Sequence, residues 1–138
     1  PWKHNPLSGP VYVEGAERGD LLAVHIEQIK PANQGHTCII PGYGPLAGSK
    51  IWPELDEAYT HLIKHLPGPT GTTRDGKGVY NDNIVWDLRP FIGTIGVAPD
   101  FEVESSLVGQ GVWGGNWDCR DIKERSVLYL PCFHEGAL

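Results

Sequence analysis

Glycine and proline interrupt this chain at short intervals. Its 138 residues include 18 glycines and 12 prolines, without a collagen-like period. A proline removes a backbone donor and a glycine weakens a helix interior, so long helices are excluded over most of the length. Short strands joined by turns are what this punctuation permits. A chain of this length can bury one modest core. The expected fold class is therefore mainly β: a single antiparallel β-sandwich or barrel-like unit over residues 1–138.

Within that frame, "VYVEGAERGDLLAVHI" reads as two strands around a tight turn. Val11 and Val13 share one face, and Leu22, Val24 and Ile26 alternate with Ala23, His25 and Glu27 at the period of a half-buried strand. "TCII", "IVWDL", "FIGTIGV" and "SVLYLPCF" are strand-like as well. One amphipathic helix is expected over 53–66. Pro53 suits its first turn, and Leu55, Ala58, Tyr59, Leu62, Ile63 and Leu66 fall on one helical stripe. The polar, glycine-rich residues 68–83 read as a flexible loop or hairpin.

The formal net charge is −6. Lys and Arg are not clustered, so counterion release from a nucleic acid has no footprint here. No apolar run approaches the roughly 18 residues that span a bilayer, and no basic-then-apolar leader is legible. Cys38, Cys119 and Cys132 are widely spaced and form no CxxC pair. Free thiols and a cytoplasmic location are expected.

Three places carry chemistry-bearing residues. His61 and His65 stand four apart, the spacing of two metal ligands on one helix face; a solvated helix face competes with that reading, and no HExxH forms. "GTIGVAP" lacks the helix a phosphate loop needs, so it reads as a strand bend that can line a cleft. "GVWGGNWDCRD", residues 111–121, is the strongest. In an extended segment Asn116, Asp118 and Arg120 project to one side. Asp118 can bind a cation or act as a base toward water, with Arg120 orienting its carboxylate. Gly114 and Gly115 let backbone approach a ligand or metal closely. Trp113 and Trp117 exclude water from such a site. The alternative is an Asx-type turn between strands, with both indoles capping the core. The residues alone leave both readings open.

Four ordered blocks bear on that choice: "NPLSGPVYVEGAERGDLLAVHI", "RPFIGTIGVAP", "GGNWDCRD" and "VLYLPCFHEGAL". Together they resemble the acetamidase/formamidase family, whose members read NP-x-[ST]-GP, VEGAEPGD, PF-x-G-x-[IL]-GVAP, GGN-x-D-x-[RK] and YLPVFVEGA in that order. The resemblance implies a β-rich, cytoplasmic, oligomeric enzyme that hydrolyses short linear amides such as formamide or acetamide to a carboxylate and ammonia. It implies a divalent metal, zinc or calcium, held at Asp118; zinc can lower the pKa of bound water to about 7. Asn116, Asp118 and Glu135 are then the expected catalytic residues, and Gly114, Gly115, Trp113 and Arg120 the expected substrate-binding ones. Its members extend beyond this chain at both ends, so a middle segment or one chain of a cleaved enzyme is expected, completed by a second copy or a complementary chain. Trp113, Trp117 and Cys119 depart from the residues commoner in the family at those positions. Residues 50–83 match it poorly and could form a lid or specificity insert. A non-catalytic β-rich module that binds a ligand or partner is the alternative.

Overall fold

The computed structural model describes residues 5–103 and 105–138. Its strands are β1 (Leu21–His25), β2 (Gln34–Ile39), β3 (Tyr59–Leu66), β4 (Lys77–Asn81), β5 (Ile84–Asp87), β6 (Thr94–Gly96), β7 (Gln110–Gly111), β8 (Gly114–Asn116) and β9 (Val127–Pro131). All pairings among them are antiparallel. The mainly β class expected from the glycine and proline spacing is what forms, as open sheets rather than a closed barrel. The residues fall into two compact units: Lys30–Pro90, and the flanking segments up to Ile29 and from Phe91 to Leu138.

In the flanking unit β1 pairs with β9, and β6–β8–β7 form a second small sheet. The expected partner of β1, the segment with Val11 and Val13, is not a strand. Val13 N–H instead donates to Gly136 O at 3.0 Å, and Leu22 of β1 faces Leu130 of β9. The core of this unit gathers Ala16, Val97, Leu130, Cys132 and Ala137, with Trp113 and Trp117 packed against it. Leu130, 1% exposed, is its anchor; burying such a side chain contributes about 1.5–3 kcal/mol.

The other unit is the four-stranded sheet β2–β3–β4–β5. Here the expected helix over 53–66 is corrected. Pro53 does start a turn, but it is a 3-10 turn of four residues, Pro53–Asp56, and the chain is extended again at Glu57 (φ −101°, ψ 138°). Tyr59–Leu66 then runs as β3 between β2 and β4. The same apolar residues fit period two, because His61, Ile63 and His65 alternate with exposed Leu62, Lys64 and Leu66. Ladder bonds to two neighbouring strands decide the matter, a gain no local periodicity records.

The last part of 68–83 enters a hairpin. Lys77–Asn81 is β4, turned into β5 by Asn81, whose Oδ1 accepts from Asn83 N–H and Ile84 N–H at 2.9 Å each. Ahead of it Thr73 is buried, 5% exposed, and its hydroxyl donates to Pro31 O at 2.7 Å. Thr70 Oγ1 donates to Asp75 Oδ1 at 2.6 Å, which holds that carboxyl below its ordinary value.

Candidate active site

A cavity of about 480 Å³ opens beside β6 and β8, lined by Asn5, Pro6, Leu7, Ser8, Ile92, Gly93, Thr94, Ile95, Gly96, Asn116 and Asp118. Asp118 is the one ionisable side chain among these residues. Among the described residues this lining offers no cation to attract a carboxylate or phosphate, and it suits a neutral ligand better than an anionic one.

β8 positions Asn116. Its register places Asn116 opposite Thr94 of β6, and the Thr94 hydroxyl donates to Asn116 Oδ1 at 2.6 Å. Asn116 Nδ2 donates to Leu107 O at 2.7 Å. That carbonyl only accepts, so the orientation of the Asn116 amide is determined. Asn5 reaches the same hydroxyl from far away in sequence: its Nδ2 donates to Thr94 Oγ1 at 3.1 Å and to Ser106 O at 2.8 Å.

Of the expected common side of Asn116, Asp118 and Arg120, Asn116 and Asp118 line the one cavity and Arg120 does not. β8 ends at Asn116, and Asp118 takes a left-handed backbone (φ 48°) that breaks the alternation. Its N–H donates to Gly93 O at 3.0 Å. The Asp118 carboxylate reaches the cavity exposed, without a hydrogen-bond partner among the described residues, and Arg120 makes no ion pair with it. The expectation of a cation or donor on Asp118 is therefore not met among them.

Gly114 and Gly115 prove necessary for a different contact from the one expected. Both have positive φ, and a Cβ would lie 2.2 Å from Ile95 O at Gly114 and 2.2 Å from Gly109 O at Gly115. The close approach is to neighbouring strand backbones. The indoles also turn inward. Trp113 meets Phe101 edge-on at 4.9 Å between ring centres and lines an adjoining, mostly apolar cavity of about 690 Å³ that shares Leu7, Ser8, Thr94, Ile95 and Gly96 with the first, while Trp117 packs on the core. Neither lines the Asp118 cavity. Core capping, the plainer reading of both, describes them.

Glu135 is exposed and lies outside both cavities. It accepts a hydrogen bond from Tyr12 Oη at 2.8 Å, and that bond is the main cause raising the Tyr12 pKa. His61 and His65 stand on β3 rather than a helix, each with a ring nitrogen bonded to a backbone carbonyl at 2.7 Å, Tyr80 O and Ala32 O respectively. Among the described residues no three of His, Cys, Asp and Glu come together to hold a metal. At Asp118 the remaining polar neighbours among the described residues are amides and hydroxyls, which by themselves do not make a zinc site.

Asn5, Thr94, Ser106 and Gly93 were not singled out by residue chemistry. Gly93 and Thr94 open "GTIGVAP", the strand bend that can line a cleft, whereas the signal for Asn5 is its ordered block "NPLSGP".

A model of the acetamidase/formamidase family matches residues 3–110, a span that includes Asn5 and Thr94 and stops short of Asn116. The acetamidase of Mycolicibacterium smegmatis is 28% identical over 96% of this chain and 45% of its own length. Among solved structures, an acetamidase from Bacillus halodurans is 40% identical with a TM-score of 0.78, over 97% of this chain and 41% of that one. An acetamidase from Yersinia enterocolitica is 30% identical with a TM-score of 0.70, over 94% and 38%. The chain thus spans less than half the length of these relatives.

Proposed function

The chain belongs to the acetamidase/formamidase family, and from that premise we propose that the protein hydrolyses short linear amides to a carboxylate and ammonia. The observation that carries this reading is the cavity that joins Asn116 and Asp118 and, among the described residues, is lined by no basic side chain. A small primary amide is neutral, with one acceptor oxygen and N–H donors, and matches such a lining.

In this reading Asn116 and Asp118 are the reacting pair. One hydrogen of Asn116 Nδ2 is held by Leu107 O; the other is available to the substrate carbonyl and to the oxyanion that follows. Asp118 accepts a proton from water as the hydroxide adds to the carbonyl carbon. The C–N bond then breaks, and the proton passes from Asp118 to the leaving nitrogen. No step is routed through a metal, since zinc or calcium at Asp118 would need donors from outside the described residues. Glu135 and Arg120 take no part, because neither lines the cavity.

A second reading, an amide-binding module without catalysis, draws support from the Asp118 carboxylate, which is exposed and has no partner among the described residues. Ammonia release from formamide or acetamide by the natural full-length protein separates the two. Turnover that disappears in Asp118→Asn supports the enzyme; binding of acetamide without turnover supports the module. Oligomerisation and a cytoplasmic location remain part of the proposal, and rest on the family. No helix among the described residues is long and apolar enough to cross a membrane.

A further inference from the structure

The polar chain beside the cavity runs in one direction. Leu107 O and Ser106 O can only accept. Leu107 O takes a hydrogen from Asn116 Nδ2, so Asn116 presents Oδ1 to Thr94, whose hydroxyl must donate to it. The Thr94 oxygen then accepts from Asn5 Nδ2, and the second hydrogen of that nitrogen goes to Ser106 O. Both hydrogens of Asn5 are thereby used. The pole of Asn5 that remains is Oδ1, which has no partner among the described residues. Asn5 is also clamped through its backbone. It sits at φ 56°, and Ser106 Oγ donates to its carbonyl oxygen at 2.6 Å.

Two asparagines on one cavity thus offer complementary poles: a spare acceptor at Asn5 and a spare donor at Asn116. A primary amide presents the matching pair, N–H and C=O. We propose that Asn5 is a substrate-orienting residue whose Oδ1 accepts an N–H of a primary amide, with the Leu107 and Ser106 carbonyls setting the polarity of the two asparagines and the Thr94 hydroxyl bridging them. This rests on the amidase reading of the same cavity. It adds a selectivity: a carboxylate product has no N–H to give Asn5 and meets the charge of Asp118, so substrate is preferred over product.

The test uses the natural full-length protein and two probes, acetamide and N,N-dimethylacetamide, which keeps the carbonyl and lacks N–H. Binding is followed by ligand-observed NMR and turnover by ammonia release. Asn5→Gly is the first variant, because glycine accepts the left-handed backbone. We expect acetamide to bind roughly fivefold or more weakly, the scale of one lost hydrogen bond. N,N-dimethylacetamide should be unchanged. Unchanged acetamide binding with improved binding of the dimethyl amide would mean that Asn5 acts only by size, and would overturn the proposal. Thr94→Val is the second variant, with Thr94→Ser restoring the hydroxyl. If Val raises the acetamide KM and Ser recovers it, the relay is supported; if Ser fails to recover it in a folded protein, the relay is wrong. A wild-type protein that binds acetamide without hydrolysing it refutes the amidase reading alone, since the Asn5→Gly binding comparison still decides the role of Asn5.

Discussion

Gly93 and Asp118 are fitted to each other: a Cβ built on Gly93 would lie 2.7 Å from Asp118 Oδ1, while Gly93 O accepts the Asp118 N–H at 3.0 Å. The residue that anchors the backbone of Asp118 thus also leaves room for its carboxylate. Gly93→Ala should displace that carboxylate without unfolding the chain, since the atom met is the end of a side chain. We expect kcat for acetamide to fall about ten- to a hundredfold, the scale of a misplaced reacting group, with the melting temperature little changed. Unchanged turnover would remove Asp118 from the chemistry.

Asp118→Asn keeps the shape and the tolerance of a left-handed backbone while removing the charge. Turnover of acetamide should drop at least about a hundredfold, the lower end for a positioned base. Circular dichroism should be unaltered. A variant that retains full kcat would show that this carboxylate is a turn residue.

Gly114→Ala should act on stability. Its Cβ would collide with Ile95 O in the middle of the β6–β8 pair, and φ at this position is +105°. We expect a loss of roughly 3 kcal/mol or more, from backbone strain and overpacking together, read by denaturant unfolding. A well-folded variant with only a raised KM would return this glycine to the ligand-binding role expected from sequence.

Asp75 carries a pH signature. The hydrogen bond from Thr70 holds its carboxyl below the ordinary 3.8, so the folded state favours the ionised form. The stabilisation is fully present above the unfolded value and is lost as pH falls through the lower folded one. Asp75→Asn should therefore be less stable than the parent at neutral pH, and the gap should close below about pH 4. Asp75 is exposed to solvent, so the gap should be small. A gap that widens on acidification would reverse the assignment.

The neighbouring chemistry of Asn116 and Asp118 was legible because two residues that close in sequence stay close in any fold. That Arg120 stands apart from them was not, because parity holds only while backbone remains extended, and the positive φ of Asp118 ends it. The indoles were ambiguous for a related reason. An aromatic ring beside a polar residue serves a site or a core according to which way the strand faces, and here Trp113 and Trp117 face the core.

By itself the sequence determined the β class, through glycine and proline spacing that no helix bundle tolerates. It also determined the family, through the order of four motif blocks. Tertiary structure alone decided that Tyr59–Leu66 is a strand, since the same apolar residues suit both periods and only pairing with β2 and β4 favours one. It alone brought Asn5 to Thr94 and Ser106, across 89 and 101 positions of chain. Local preference acts over a few residues, whereas hydrogen bonds of that span exist only after the sheets have assembled.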